Sequence, residues 1–397
     1  MLESYQVEHN SQNIYYRSIV GAAEAGSRLR LGIRIRTYEP IQQVLVRLWQ
    51  DQTGERLIPL ETRDTQGEQK FYTAWFNLPD YGCLVWYYFI ITTESGTYFY
   101  GNNAEMLGGV GALSSSAPES YQITIYNKGA RTPDWFKNAV MYQIFPDRFA
   151  RAGDTIVKKK GAVIRTDWTD DPMYLKDPDT KEIIAYDFFG GNLRGVTEKL
   201  DYLKDLGISC IYFNPVFESE SNHHYDTGDY HKIDPVLGDI EDFRALVTAA
   251  EQRGIRIILD GVFSHTGSNS IYFNRQQQYG SLGAYQSKES PYYSWYHFRN
   301  YPNEYDCWWN FETLPNVNET DPAYMDFVIT GKDSVLHHWM NEGIAGWRLD
   351  VIDELPPTFS KTFFAELKKR NPDAVMIGEV WEDASNKVAY GTPREYL

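Results

Sequence analysis

The sequence predicts an α/β protein in two parts: an N-terminal β-sandwich, followed by about five strand–helix units of a parallel sheet, which is either doubly wound or a (β/α)8 TIM barrel. Up to residue 126, short runs alternate apolar and polar side chains, which is strand patterning. After residue 138, short apolar strands alternate with amphipathic helices, which is typical of a parallel sheet. A length of 397 residues accommodates two such domains.

The predicted sandwich occupies residues 1–126. Its clearest strand is Arg28–Thr37, in which Leu29, Leu31, Ile33 and Ile35 share one face. Three further strands are predicted, at Val44–Trp49, Val85–Thr92 and Tyr121–Tyr126. No helical period persists in this part, so an antiparallel sandwich is the simplest interpretation. The polar, turn-rich segment 127–137 is predicted to be a linker.

The predicted barrel domain occupies residues 138–397. Its strands are predicted at Ala139–Phe145, Ile208–Phe213, Ile255–Phe263, Ala345–Ile352 and Ala374–Trp381. Helices are predicted from the apolar spacing of Val196, Leu200, Leu203 and Leu206, and at Ile240–Arg253, Asp333–Glu342 and Ser360–Arg370. No glycine-rich phosphate loop follows the first strand, which argues against a nucleotide-binding sheet.

The irregular segment 264–332 is predicted to be a subdomain inserted after the third strand. It is rich in large aromatic residues, namely Tyr272, Tyr285, Tyr292, Tyr293, Trp295, Tyr296, Trp308 and Trp309. We expect most of these rings to pack the subdomain and some to contact a ligand.

The composition excludes several classes of function. A formal net charge of -16 argues against a nucleic-acid backbone or an anionic membrane surface as a partner. The sequence contains no run of 18 apolar residues, which argues against a transmembrane helix. Its N-terminus lacks the basic and apolar segments of a signal peptide. The three distant cysteines form no metal or disulfide pattern, which favours a cytoplasmic setting. An aromatic content of 15% suits a sugar ligand.

Charged and polar residues follow the predicted third, fourth and fifth strands, which is where a β/α barrel places its active site. These residues are Asp260, His265, Arg348, Asp350 and Glu379. Arg348 and Asp350 are two residues apart on a strand, so they share a face. We expect the arginine to lower the pKa of Asp350 and keep it ionised.

Glu379 follows Asp350 by one strand–helix–strand unit, so it is expected on the adjacent strand. Two carboxylates so placed could have the separation of about 5–5.5 Å that a retaining glycosidase needs. One carboxylate would attack the anomeric carbon, and the other would protonate the leaving oxygen. Taken singly, each aspartate could be a turn residue and the Arg–Asp pair a salt bridge. Five such positions at matching strand ends favour a site.

These segments resemble the α-amylase family of glycoside hydrolases. DGVFSHTG (Asp260–Gly267), GWRLDVIDE (Gly346–Glu354) and GEVWEDA (Gly378–Ala384) are similar to its first three signature regions. LPNVNE (Leu314–Glu319) resembles a further short region of the family. YQIFPDRF (Tyr142–Phe149) and SNHHYDTGDY (Ser221–Tyr230) resemble the neopullulanase, cyclomaltodextrinase and maltogenic amylase branch, which also carries an N-terminal β-sandwich.

The resemblance implies catalytic roles for two residues. Asp350 matches the family's nucleophile and Glu379 its general acid/base. Arg348 matches the residue that holds the nucleophile, and Asp260 a buried structural partner behind it.

The resemblance also implies substrate-binding residues. His265 would hydrogen-bond the sugar whose bond is cleaved, and His223 and Tyr225 match the family's His-x-Tyr, with the tyrosine stacking under that ring. Trp381 would line the acceptor side, unless it only packs the barrel rim. For His224, between the matched pair, a purely structural role is preferred.

The resemblance would also allow a calcium site, but the sequence departs from its pattern. Ala152, Val157 and Lys158 stand at three ligand positions of the loop after the first strand. Asn192 replaces the aspartate that closes this loop, and Ser264 replaces the asparagine of calcium-dependent amylases. Because calcium needs six to eight oxygen ligands, we expect no calcium and no other cofactor.

The predicted activity is retaining hydrolysis of α-1,4-glucosidic bonds in maltodextrins, cyclodextrins or pullulan. The family's second aspartate, at the end of the seventh strand, has no counterpart here, so we interpret the sequence as the N-terminal part of a longer enzyme. Two alternatives stay open: a fragment that only binds glucan, and a transglycosylase or α-glucosidase of the same family. The branch also suggests a homodimer formed through the N-terminal domain.

Overall fold

In a computed structural model of the protein, the described residues are 2–51, 53–153, 159, 161–176, 178, 183–382, 384, 388–389 and 392–393. The chain divides into two compact units, with the boundary between Arg131 and Thr132.

The described part of the first unit is built from β-strands. They are β1 (Val7–Glu8), β2 (Ala23–Glu24), β3 (Arg28–Arg36), β4 (Ile41–Gln50), β5 (Gly54–Pro59), β6 (Glu61–Gln66), β7 (Gln69–Asn77), β8 (Cys83–Thr93), β9 (Gly96–Gly101), β10 (Ala112–Ser114) and β11 (Tyr121–Tyr126). A single 3-10 turn, Ser4–Gln6, precedes them in the described residues.

The strands of the first unit form two sheets around one core. One sheet has the order β1-β3-β7-β6; in the other, β8 pairs with β4, β9 and β11, and β5 extends it beyond β4. Leu31 and Ile33 from the first sheet and Val85 and Phe89 from the second belong to the same buried cluster. Strand alternation thus builds a sandwich, because one face of each sheet is apolar.

A histidine lies within this core. His9 is fully buried; its Nδ1 lies 2.7 Å from the Gly32 carbonyl oxygen, and its Nε2 lies 2.9 Å from the Tyr87 hydroxyl. Burial lowers the pKa of His9 to about 3, opposed by the Gly32 hydrogen bond and assisted by the charge of Arg17. The imidazole is therefore neutral in the folded protein at neutral pH.

The second unit contains strands and helices. The strands are β12 (Met141–Ile144), β13 (Ala162–Ile164), β14 (Tyr174–Lys176), β15 (Ile183–Phe188), β16 (Cys210–Phe213), β17 (Phe217–Ser219), β18 (Thr227–Ile233), β19 (Arg256–Gly261), β20 (Phe298–Asn300), β21 (Glu304–Tyr305), β22 (Gly346–Leu349), β23 (Val375–Gly378), β24 (Val388–Ala389) and β25 (Thr392–Pro393). The α-helices are α1 (Asp134–Lys137), α2 (Leu193–Glu198), α3 (Leu200–Asp205), α4 (Ile240–Gln252), α5 (Pro322–Met325), α6 (Val335–Asn341) and α7 (Pro357–Arg370). A π-helical turn, Asp326–Thr330, follows α5.

Five of these strands form one parallel sheet in chain order, β12-β16-β19-β22-β23. Asp260 on β19 pairs with Arg348 on β22, and Arg348 pairs with Ile377 on β23. Each connection between neighbours carries at least one helix, which is the repeated β/α unit of a barrel. All five carboxyl ends therefore lie at the same edge of the sheet.

The structure differs from the predicted elements in two places. The helix expected through Val196 and Leu206 is two short helices, α2 and α3, which meet at Lys199. The segment predicted as a linker contains α1, whose Trp135 donates its indole N–H to the Asp373 carbonyl, 2.8 Å away. Its second half is thus part of the barrel unit.

The aromatic side chains of the inserted segment 264–332 mostly pack against one another. Tyr272, Trp295 and Tyr296 are buried, and the rings of Phe273 and Phe298 stack with centroids 5.8 Å apart. In the described part of the chain, no helix combines the length and apolarity needed to span a membrane.

Candidate active site

Four charged side chains stand together at the carboxyl edge of the parallel sheet. Asp260 is on β19 and Arg348 is on β22; Asp350 and Glu379 directly follow β22 and β23. Asp350 N–H bonds to the Gly261 carbonyl and Glu379 N–H to the Leu349 carbonyl, each at 3.0 Å. The sheet register therefore fixes the backbone of both carboxylates.

Arg348 binds three of the carboxylates at once. Its Nη1 lies 2.7 Å from Asp260 Oδ1 and 2.6 Å from Asp350 Oδ1, and its Nη2 lies 2.6 Å from Glu379 Oε1. The guanidinium is planar and presents donors in a fixed fork, so it holds all three groups in one geometry.

Asp260 is the buried base of this cluster. Besides Arg348, it accepts hydrogen bonds at Oδ2 from the hydroxyls of Tyr212, at 2.5 Å, and Tyr225, at 3.1 Å. Burial raises the pKa of Asp260 to about 6, although Arg348 and both tyrosines oppose the rise. Tyr212, inside β16, has no signal in the sequence, because a buried tyrosine of a central strand looks like an ordinary core residue.

Arg348 lowers the pKa of Asp350, as expected, but the expectation that it keeps this pKa low enough to hold the carboxyl ionised is wrong. Burial and the charge of Asp260 raise the pKa of Asp350 above its ordinary value, and Arg348 only partly offsets them. The physical reason is that Arg348 shares its single charge among three carboxylates in a buried place, so the cation does not outweigh desolvation.

Glu379 differs from Asp350 in exposure and in its partners. Its side chain is 30% exposed, against 9% for Asp350. Its Oε2 accepts a hydrogen bond of 3.1 Å from the N–H of Val351. Val351 has φ of 38°, a left-handed conformation that is strained for a β-branched residue. Glu379 is thus the more accessible carboxyl, held by Arg348 on one oxygen and a backbone amide on the other.

His223, Tyr225 and His265, the predicted sugar clamp, lie in the same cleft as the carboxylates. His265 is buried, with Nε2 3.2 Å from the Tyr225 carbonyl oxygen and Nδ1 3.0 Å from Ser264 Oγ. Burial lowers the pKa of His265 to about 4 and also lowers the pKa of His223. The rings of His223 and Tyr225 are 5.9 Å apart. Both imidazoles are therefore neutral near pH 7 and can donate or accept hydrogen bonds.

A cleft of about 810 Å³ opens over these groups. Six of the eight predicted site residues line it, namely His223, Tyr225, His265, Asp350, Glu379 and Trp381. Asp260 and Arg348 are buried and do not line it, but Arg348 bonds to Asp350 and Glu379, and Asp260 bonds to Arg348 and to the Tyr225 hydroxyl. The structure therefore brings all eight together, six in the cleft and two in support.

Tryptophans form one wall of the cleft. Trp308 stacks on Trp309, with ring centroids 5.5 Å apart, and Trp309 meets Trp381 edge-on at 5.6 Å. Glu354 accepts the indole N–H of Trp308 at 2.6 Å and of Trp309 at 3.1 Å. Trp381 is 60% exposed, which leaves its face free for a ring of a ligand. The sequence offered no sign that Glu354 orients both indoles.

Asn192, at the expected edge of a calcium loop, makes hydrogen bonds within the protein. Its Oδ1 accepts hydrogen bonds from Gly195 N–H at 2.8 Å and Ala152 N–H at 3.2 Å, and its Nδ2 donates to the Ala152 carbonyl at 2.8 Å. A β-carbon on Gly191 would lie 2.0 Å from the Pro146 carbonyl oxygen, so the two loops are in close contact. The amide thus caps α2 and fastens the loop directly.

The structure describes only some of the other positions of the expected calcium site. Val157 and Lys158 lie outside the described residues. Ser264 Oγ contacts His265 rather than a shared centre. Among the residues that the structure describes, no three His, Cys, Asp or Glu side chains are grouped to hold a metal ion.

An acidic cleft at the carboxyl edge of parallel barrel strands, with two carboxylates fixed by one arginine, is typical of the catalytic domain of a glycoside hydrolase. The family model for the alpha amylase catalytic domain matches residues 143–396. The chain belongs to the α-amylase family. Its fold is accordingly that of a TIM barrel preceded by an N-terminal sheet domain.

Several known proteins are similar to this chain. The amylopullulanase of Thermoanaerobacterium saccharolyticum is 38% identical over 96% of this chain and 32% of its own length. Neopullulanase 2 of Thermoactinomyces vulgaris is 37% identical over 64% of this chain and 40% of its own. The chain spans between 22% and 42% of the length of the curated relatives it matches.

Solved structures show the same likeness over nearly the whole chain. A cyclomaltodextrinase superposes with a TM-score of 0.58 at 27% identity, covering 96% of this chain and 61% of its own. The type III pullulan hydrolase from Thermococcus kodakarensis superposes with a TM-score of 0.56 at 26% identity, covering 98% and 63%. Both matches take in the sandwich as well as the barrel unit.

Proposed function

We propose that the protein is a retaining α-glucan hydrolase that cleaves α-1,4-glucosidic bonds of maltodextrins, cyclodextrins or pullulan by double displacement. The observation that carries the proposal is the pairing of Asp350 and Glu379 on the two amino groups of Arg348, at the mouth of one cleft. Relatives named neopullulanase and cyclomaltodextrinase support the substrate class.

In the first step, the buried carboxylate acts as nucleophile. An oxygen of Asp350 attacks the anomeric carbon, the glycosidic C–O bond breaks, and protonated Glu379 gives its proton to the leaving oxygen. Asp350 is the less exposed of the two, which suits attack from beneath the sugar. Glu379 faces the open cleft, where the leaving chain departs. Arg348 keeps both groups in place.

In the second step, water completes the reaction. The Glu379 carboxylate takes a proton from water, the water oxygen attacks the anomeric carbon, and the ester bond to Asp350 breaks. His265, His223 and Tyr225 hold the hydroxyls and face of the sugar during both steps. Two inversions at one carbon give net retention of configuration.

Nucleophile rescue with azide distinguishes the two carboxylates. In the complete enzyme, Asp350→Gly is expected to lose turnover and, given an activated α-glucosyl substrate and azide, to form the β-glucosyl azide. Glu379→Ala is expected to form the α-glucosyl azide through the covalent intermediate. Azide products of the opposite configuration, or turnover by Asp350→Asn near the native rate, would contradict the assignment.

Product analysis decides among the related functions. Release of reducing sugar from maltotriose by the purified 397-residue chain would eliminate a fragment that only binds glucan. Longer oligosaccharides formed from maltotriose would favour a transglycosylase, and glucose alone from every substrate would favour an α-glucosidase. Cyclodextrin, pullulan and starch, compared at equal mass concentration, rank the preferred glucan.

Further parts of the proposal concern the whole protein. We infer that the five described strands belong to an eight-stranded barrel, that the enzyme works without calcium, and that it dimerises through its sandwich. The hydrogen bonds of the Asn192 side chain to Ala152 and Gly195 support calcium independence. Unchanged melting temperature and activity after EDTA treatment are the expected result. Light scattering measures the dimer.

A cytoplasmic location is part of the same proposal. Cys83, Cys210 and Cys307 form no disulfide, and thiols persist in reducing compartments. A relative named intracellular maltogenic amylase, from Bacillus subtilis, supports it. Cell fractionation followed by immunoblotting is the measurement, and recovery in the medium would contradict the inference.

A further inference from the structure

His224 lies between His223 and Tyr225 in the chain, and its side chain points away from the cleft. His223 and Tyr225 line the cleft, whereas the side chain of His224 is 1% exposed and faces the protein interior. Its φ is 64°, so the backbone makes a left-handed turn between the two residues. A non-glycine residue holds this strained conformation only when its surroundings stabilise it.

Two contacts stabilise the turn. The N–H of His224 donates to Ser221 Oγ at 3.0 Å, and Ser221 in turn donates to the Asp226 carboxylate. The imidazole Nε2 lies 3.2 Å from Asp234 Oδ2, an ion-pair distance, although the N–H does not point along a good hydrogen-bond direction. The backbone of His224 is therefore held by Ser221, and its ring lies against Asp234.

Asp234 connects this turn to two other segments and to its own backbone at Val236. Its carboxylate accepts the N–H of Ser219 and of Val236, each at 3.0 Å, and pairs with the ammonium of Lys159. The Asp234 side chain has no exposure, and a buried carboxylate keeps its charge only with such partners. Burial opposes ionisation, yet His224 and Lys159 lower the pKa of Asp234 to about 2. The hairpin of β17 and β18 and the loop after β12 are thus tied to His224.

The turn reaches the catalytic carboxylates through Tyr225. The Tyr225 hydroxyl donates to Asp260, and its carbonyl oxygen lies 3.2 Å from His265 Nε2. A displacement of the turn would therefore move Tyr225 and disturb its contacts with Asp260 and His265.

We propose that His224 is a positioning residue, which is anchored on Asp234 and presents His223 and Tyr225 to the sugar through its left-handed turn. This inference rests on the proposed α-glucan hydrolase function. His224, which does not line the cleft, would then determine how His223 and Tyr225 contact the sugar.

The test compares His224→Gly with His224→Ala in the complete enzyme. Glycine adopts the left-handed conformation without strain but lacks the imidazole ring. Alanine lacks the ring and is strained in the left-handed conformation. Because a displacement of about 1 Å can cost about a hundredfold in rate, we expect kcat/KM on maltotriose to fall about 10- to 100-fold in both variants. Asp234→Asn, which keeps the shape and removes the charge, is expected to act in the same direction.

A double-variant cycle with Tyr225→Phe separates positioning from general damage. If His224 acts through Tyr225, the two losses should be less than multiplicative. Lys232→Met, which removes a 56% exposed side chain from the same hairpin, is the control and should leave kcat/KM unchanged. Native kcat/KM in His224→Gly, or fully multiplicative losses, would overturn the inference while the proposed function stands. No sugar release by the unmodified enzyme would overturn both.

Discussion

The hydroxyl of Tyr212 gives a sharp test of the electrostatics beneath the cleft. Tyr212→Phe removes one hydrogen-bond donor, 2.5 Å from Asp260 Oδ2, and keeps the ring. A hydrogen bond to a charged group contributes about 1.5–3 kcal/mol, and one between neutral groups about 0.5–1.5 kcal/mol. The size of the loss therefore depends on whether Asp260 is ionised.

The pH dependence of this loss has a definite sign. Asp260, with a pKa raised to about 6 in the folded protein, is ionised at pH 8 and protonated at pH 5. In the unfolded chain an aspartate, with a pKa of about 3.9, is ionised at both. We expect Tyr212→Phe to lower the free energy of unfolding by about 1.5–3 kcal/mol at pH 8 and by about 0.5–1.5 kcal/mol at pH 5.

Urea unfolding at the two pH values is the assay. Tyr202→Phe removes a hydroxyl from a tyrosine that is 55% exposed, and it should change stability at neither pH. Tyr225→Phe, which removes the second donor to the same oxygen at 3.1 Å, should show the same trend with a smaller loss. Equal losses at pH 5 and pH 8 would refute the reasoning, since the hydrogen bond would then not depend on the charge of Asp260.

Three further predictions concern other parts of the molecule. Because the pKa of Asp350 is raised, kcat/KM should decline as pH falls well before the ordinary range of an aspartate, measured as a pH profile on maltotriose; a flat profile down to pH 4 would contradict this. Glu354→Gln should raise KM about fivefold for long maltooligosaccharides and less for maltotriose, because Trp308 or Trp309 loses a hydrogen bond of about 1 kcal/mol; equal changes for both substrates would count against it. The pKa of His9 is lowered to about 3, so the contribution of His9 to the free energy of unfolding is complete above about pH 6.5. Up to about 5 kcal/mol of this free energy is lost as the pH falls to about 3, because only the unfolded chain then binds the proton. His9→Asn should therefore make the urea midpoint depend less on acid pH.

The strands that carry the site were predictable because their patterns are local. All five parallel strands lie within the predicted ranges, since a buried β/α strand is a short continuous run of apolar residues. The break at Lys199 was not predictable, because no glycine or proline marks it and the apolar spacing continues through it. Pattern gives the buried face of a segment, whereas its exact continuity depends on tertiary packing.

The site was predictable to the extent that its residues follow strand ends. Asp350 and Glu379 could be paired from their spacing alone, because neighbouring parallel strands end at one edge. The pKa of Asp350 could not be predicted, since burial and the sharing of Arg348 with Asp260 are properties of the folded state. Glu354 was missed for the same reason, because its partners lie about 45 residues away along the chain.

Arg348 is one cation facing three carboxylates, so the floor of the cleft carries an excess of negative charge. A ligand with a positive charge at the position of the cleaved sugar would gain from this excess, as the positively charged transition state does. Protonated amines shaped like a sugar should therefore inhibit the enzyme more strongly than neutral analogues. Small amine buffers should compete weakly at the same place, which makes the choice of buffer a variable in any kinetic measurement.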